Sequence, residues 1–207
     1  MNFIKKAFNF IILTTKKLNI DDSHGLSHSM EVLNFANNIY KSELNNNTSL
    51  EKYKKVIYAS ALLHDMCDKK YVNEKEGLKL IKNYFVDDFE NNQLNDINTI
   101  ISTMSYSTIK KNGFPKNLNQ LELPYHIVRE ADLLASYDFD RCLIYKMHSA
   151  NMSIYDAYYD GINLFNSRVF LYNVNNLFRT SYSKKLSIKL HYKAIDRIKE
   201  WKNILDL

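Results

Sequence analysis

Apolar residues recur at helical spacing along nearly the whole chain, as in Val32, Phe35, Ala36 and Ile39, and again in Val56, Ala59, Leu62 and Leu63. Strand-like alternation is rare. With only four Gly and two Pro in 207 residues, the chain has few of the turn formers that a β-rich fold requires. At 45% hydrophobic residues it is long enough to bury one sizeable core. The sequence therefore predicts an all-α protein, with residues 1–207 forming one domain.

The periodicity predicts helices over about 3–18, 26–43, 50–66, 74–86, 92–104, 122–136, 139–150, 154–178 and 184–204. "NNNTSLEKY" at 45–53 reads as a loop followed by an N-cap at Thr48 or Ser49, and "KKNGFPKNLNQ" at 110–120 as a loop. The opening "MNFIKKAFNFIILTTKKL" places basic residues ahead of an apolar run, as a signal peptide does. Its run is short, Lys16 and Lys17 close it, and no small-residue cleavage site follows, so it reads as an amphipathic first helix. No segment approaches the roughly 18 consecutive apolar residues of a membrane span.

The 28 basic and 23 acidic residues give a formal charge of +5 that is dispersed along the chain. That dispersal argues against a nucleic-acid partner and is compatible with a small anionic substrate. Cys67 and Cys142 have no metal-ligand spacing and form no disulfide framework, so an intracellular, cytoplasmic setting is expected. The aromatic-rich stretch "NMSIYDAYYDGINLFNSRVFLYNVNNLF" reads as core filling, with a homo-oligomer contact as a further use.

Against this background "ASALLHDMCDKKY" at 59–71 stands out, because it drives His64 and Asp65 into the end of an apolar run. Burying such groups costs several kcal/mol unless they are paired or bound to a metal. Upstream, His24 and His28 stand four apart at the start of an amphipathic segment. Downstream, Asp132 sits among Ile127, Val128, Ala131, Leu133 and Leu134. The imidazoles of His28 and His64 and the carboxylates of Asp65 and Asp132 make a mixed nitrogen and oxygen set. Such a set suits one divalent ion, namely Mn, Fe, Co, Ni, Mg or Zn, and leaves positions open for water or substrate.

The order His28, His64-Asp65, Asp132 in a helical chain resembles the HD-domain superfamily of metal-dependent phosphohydrolases. "DDSHGLSHSMEVLNFA" is similar to the "SHDxxHxxRVxxxA" opening of a prokaryotic-type stand-alone subgroup, "LLHDMCDKKY" to its "LLHDIxDxKF" and "EADLLASY" to its "DADxLxA". "IISTMSYS" at 100–107 looks like the helix end before that subgroup's variable loop. The resemblance covers about residues 20–142 and implies an HD-type helical bundle, with additional C-terminal helices over about 143–207. Gly25 stands where an acidic residue is usual, and Glu31-Val32 where Arg-Val is usual.

The resemblance implies hydrolysis of a phosphate ester or anhydride of a small phosphorylated metabolite or nucleotide through a metal-activated water. Asp68, three residues after Asp65, is then the general acid or base. Lys70, Arg129 and His24 are the expected substrate-binding groups, Arg129 because it precedes Asp132 by three residues on the same predicted helix. His126, His148 and His191 fit no motif. Two other readings share the same residues. One is a phosphodiesterase or pyrophosphohydrolase acting on a signalling nucleotide. The other is a degenerate domain that binds a nucleotide or a protein partner without turnover.

Overall fold

The computed structural model describes residues 2–207, which form ten α-helices joined by loops and five short 3-10 turns, with no strand among the described residues. The protein is all-α, as the periodicity predicts. The helices are α1 (Asn2–Leu18), α2 (Leu26–Leu44), α3 (Lys54–Leu63), α4 (Glu74–Tyr84), α5 (Asn91–Thr103), α6 (Tyr106–Asn112), α7 (Glu122–Ala135), α8 (Phe139–Ala150), α9 (Ile154–Ser167) and α10 (Ser181–Ile204). Among the described residues no helix is long and apolar enough to cross a membrane.

Helix α3 is the centre of the packing. Every residue from Val56 to Leu63 is buried, so the helix is apolar on all sides and must be surrounded. It packs against α2 and α7, which also pack on each other, and against α1 and α5. The first helix turns Phe3, Ala7, Phe10 and Ile11 inward at helical spacing. Its Phe10 ring lies 4.8 Å from that of Tyr84 at the end of α4. Burial of each large side chain contributes about 1.5–3 kcal/mol.

Helix starts follow local chemistry. Asn73, Ser105, Asp138, Ser153 and Thr180 each accept a backbone N–H at the head of α4, α6, α8, α9 and α10. Glu90 and Gln93 form a reciprocal capping box on α5. Gly113 (φ 74°) ends α6 and Asn151 (φ 50°) ends α8 in positive-φ conformations, which suit Gly and Asn.

The structure departs from the sequence reading in four places. The segment predicted as one helix over 50–66 is a 3-10 turn (Thr48–Tyr53), then α3, then a second 3-10 turn (His64–Cys67). Neither Thr48 nor Ser49 caps it, because the turn starts after Asn47 without a side-chain cap. The helix predicted over 154–178 stops at Ser167. The apolar spacing continues because Val169, Tyr172, Leu177 and Phe178 are buried from irregular backbone. Helix α6 occupies the front of the predicted 110–120 loop, and α10 begins three residues early, where Thr180 caps it.

Two contacts fix the elements that matter for the site. Gly77 of α4 lies against the His64–Cys67 turn so closely that an added Cβ would sit 2.6 Å from Cys67 Cβ. At the other end, α10 is tied to α7 through Glu130. Its carboxylate accepts the backbone N–H groups of Arg179 (2.6 Å) and Thr180 (3.1 Å) and the Thr180 hydroxyl (2.7 Å).

Candidate metal centre

Each expected ligand arrives on its own element. His28 lies in the first turn of α2, at the head of the buried stripe that continues through Val32, Ala36 and Ile39. Asp132 follows Tyr125 and Val128 along the buried side of α7 and precedes Ala135. His64 and Asp65 occupy the 3-10 turn after α3, where the chain tightens at Leu63 (φ −102°, ψ −2°). Because α2, α3 and α7 pack on one another, these ends converge.

The convergence is close. His28 Nε2 stands 3.2 Å from His64 Nε2, 3.3 Å from Asp65 Oδ2 and 3.4 Å from Asp132 Oδ1. His64 Nε2 stands 3.3 Å from Asp65 Oδ1 and 3.6 Å from Asp132 Oδ1. Donors held at about 2.1 Å from one small ion lie roughly 3.0–3.4 Å apart when adjacent, so these separations fit a shared cation. His28, His64 and Asp65 are almost fully buried, while the Asp132 side chain keeps 24% exposure. The cluster is therefore open on the Asp132 side.

Hydrogen-bond accounting supports the same fit at His64 and Asp65, while His28 Nδ1 is buried without a partner among the described residues. His64 Nδ1 lies 3.0 Å from the Ala61 carbonyl, so Nδ1 carries a proton and donates it there. In the neutral ring Nε2 then presents its lone pair to the cluster, the arrangement of a ligating histidine. Two imidazole lone pairs 3.2 Å apart repel unless a proton or a metal cation lies between them. Asp65 Oδ2 is buried and accepts no hydrogen bond among the described residues. That is what a donor set built around a cation leaves behind.

The electrostatics describe the cluster when only protons fill it. Burial, with Arg141 adding, pushes His28 down to about 4, so its ring is neutral and competent to ligate. Burial opposes charge on His64 too, but the Asp65 and Asp132 carboxylates outweigh it and hold the ring well above its ordinary value. Burial alone would raise both carboxylates, and the two histidines override it and hold them low.

The donors form the floor of a cavity of about 440 Å³, within the roughly 300–1,000 Å³ range of small-molecule sites. His24, Asp68 and Lys70 line its wall. Asp68 follows the 3-10 turn in extended conformation, and its Oδ1 accepts the Lys70 backbone N–H at 2.9 Å. Lys70 Nζ lies 3.7 Å from Asp68 Oδ2, 3.3 Å from His24 Nε2 and 4.8 Å from the centre of the Tyr145 ring. The far side of the His24 ring faces Ser23 Oγ at 2.8 Å and the Tyr71 hydroxyl at 3.1 Å, and both hydroxyls donate to Asp21.

No protein-family model matches this chain, and no curated protein or solved structure matches it. Its site is therefore read from its own geometry.

Arg129 is the one expected site residue that the structure places elsewhere. Residues three apart on an α-helix differ by about 60° around the axis, and that angle is enough to send Arg129 away from Asp132. Its side chain is fully buried on the α10 side of α7. Nη2 donates to the Leu177 carbonyl and to Glu130 Oε1 at 3.1 Å, and the guanidinium lies 5.0 Å from the centre of the Phe114 ring. Arg129 holds α10 to α7 and does not line the cavity.

Two arginines that the motifs do not mark line the cavity instead, Arg141 from α8 and Arg168 from the end of α9. Nothing in the local sequence distinguishes them, since their placement depends on how α8 and α9 fold back over the α2–α7 pair. The two motif departures are sterically quiet. A Cβ at Gly25 would meet nothing closer than 3.5 Å. Glu31 is half-buried, and burial together with Asp138 raises its pKa.

Proposed function

We propose that this protein is a metal-dependent phosphohydrolase that cleaves a phosphate ester or anhydride bond in a small phosphorylated metabolite or nucleotide. The observation that carries the reading is that His28 and His64 stand 3.2 Å apart, each within 3.3–3.6 Å of a carboxylate oxygen of Asp65 and of Asp132, on the floor of an open cavity with cationic walls. The resemblance of the motif order to the HD superfamily supports it.

In this reading the four side chains hold one divalent cation, which supplies Lewis acidity toward water and a phosphoryl oxygen near neutral pH. Lys70 and His24 bind the non-bridging oxygens from the wall. Asp68 is placed beside them to accept a proton from water or return one to the leaving group. Burial of the floor keeps the local dielectric low, which strengthens each of these interactions.

Turnover of phosphate monoesters, diesters, nucleotides and pyrophosphate with Mn, Co, Ni, Mg and Fe tests the proposal. Hydrolysis in oxygen-18 water places the label in the released phosphate if the bond to phosphorus is cleaved. Label confined to the alcohol overturns the reading. Absence of turnover across the panel favours a binding module that shares the cluster. Selective turnover of diesters or pyrophosphates favours the signalling-nucleotide alternative.

A further inference from the structure

The cavity, at about 440 Å³, is larger than one phosphoryl group fills, and Arg168 lines it as a cation that the proposed chemistry does not use. Arg168 leaves α9 with its guanidinium 4.3 Å from the centre of the Tyr106 ring. Its Nε donates to the Tyr172 hydroxyl at 3.0 Å, and that hydroxyl also accepts from Ser136 Oγ at 3.2 Å. Ser136 sits one turn beyond Asp132 and caps α7. A chain of contacts therefore fixes Arg168 relative to a proposed metal ligand.

The orientation leaves the terminal nitrogens free. Among the described residues Arg168 Nη1 and Nη2 make no hydrogen bond and no ion pair. Arg129 and Arg197, by contrast, are paired with Glu130 and with Asp140 and Glu200. The acidic residues on the cavity wall are already engaged, Asp68 with Lys70, Glu74 with Lys69 and Asp138 with the head of α8. Arg141 likewise donates only to the Ser23 carbonyl, at 3.1 Å. A planar fork held by stacking and by its Nε, on a residue that lines the cavity and with both NH2 groups unpaired among the described residues, suits bidentate binding of a phosphate or carboxylate.

We propose that the Tyr106–Arg168 wall of the cavity is a second anion-binding position, so that the preferred substrate carries a phosphoryl or carboxyl group in addition to the one being cleaved. The proposal rests on the phosphohydrolase reading for the first anion and assigns Arg168 as the residue that selects substrates with two anionic groups over those with one.

Phosphonates that resist hydrolysis separate the two claims. Calorimetry on manganese-loaded protein compares alkane α,ω-bisphosphonates of increasing length, ω-carboxyalkylphosphonates and simple alkylphosphonates. The best-fitting ligand with two anionic groups should bind about tenfold or more tightly than the alkylphosphonate of equal length, the scale of a charge-assisted hydrogen bond. Arg168→Gln should remove that gain while leaving alkylphosphonate affinity within about twofold, which also shows that the fold is intact. Arg168→Lys should keep part of the gain. A larger gain for bisphosphonates assigns the second group as phosphoryl, and a larger gain for carboxyalkylphosphonates assigns it as carboxyl. No gain in the wild type, or a gain that survives Arg168→Gln, overturns the inference. Loss of metal-dependent binding by every phosphonate instead removes the phosphohydrolase reading on which it rests.

Discussion

Replacing Arg129 with Met tests whether this buried arginine is an anchor, as its contacts indicate, or a substrate ligand, as its place in the motif predicts. The substitution keeps much of the apolar stem and removes the bonds to Glu130, the Leu177 carbonyl and His126. Glu130, with no exposed surface, then keeps three donors but loses its only counter-ion among the described residues. Breaking a buried pair from one side costs about 3–5 kcal/mol. The lower end applies here, because Arg129 Nε and Nη1 have no partner and their burial is already unfavourable. For a chain of this size about 3 kcal/mol corresponds to roughly 6–12 °C in Tm. Urea and thermal unfolding give the number. Glu130→Gln should cost a similar amount, and the double variant less than the sum, since it removes both charges. An Arg129→Met protein of unchanged stability that has lost phosphonate affinity would refute the anchoring role.

Three further outcomes follow from the same coordinates. Gly77→Ala places a Cβ 2.6 Å from Cys67 Cβ and 2.8 Å from its Cα, so it should destabilise by about 1–3 kcal/mol and weaken metal affinity by moving the His64–Cys67 turn. Gly25→Ala, whose added Cβ would meet nothing closer than 3.5 Å, should unfold like the wild type, and equal stability of all three proteins would show that the α4 contact is slack. Burial, with Arg129 and Arg179 adding, pushes His126 down to about 3, so between there and its ordinary value of about 6.5 the unfolded chain binds the extra proton. Its contribution to stability is present above that window and lost as pH falls through it. His126→Asn should flatten the acid limb of the stability curve, and parallel curves would contradict this. Asp68→Asn should retain the metal while lowering turnover by about 100-fold or more, as measured by paired metal analysis and kinetics. Loss of the metal would make Asp68 a ligand.

Local signals carried the class of the fold and the floor of the site. Helical periodicity placed most elements. The His64-Asp65 pair and Asp132 were visible because ionisable residues stood among apolar ones, and His28 because it opens an amphipathic segment and completes the motif order. The misses have tertiary causes. The apolar spacing of Val169, Tyr172 and Phe178 mimics a helix although their burial is achieved by a folded-back loop. The His64–Cys67 segment tightens to a 3-10 turn where Gly77 of another helix packs on it. Arg129 shared a predicted helix face with Asp132, but Glu130 and the Leu177 carbonyl, 48 residues along the chain from Arg129, draw it away from the cavity. Arg168 carried no motif and reaches the cavity only through the return of the α9 end toward α6.

In the proposed site His28, His64, Asp65 and Asp132 hold one divalent cation. Elemental analysis of protein dialysed after loading with a transition metal measures it directly, with the His64→Ala, Asp65→Ala double variant as the control and circular dichroism reporting the fold. About one ion per chain is expected in the wild type and none in a double variant that remains helical. A wild-type stoichiometry near zero, or one that is unchanged in the folded double variant, would contradict it.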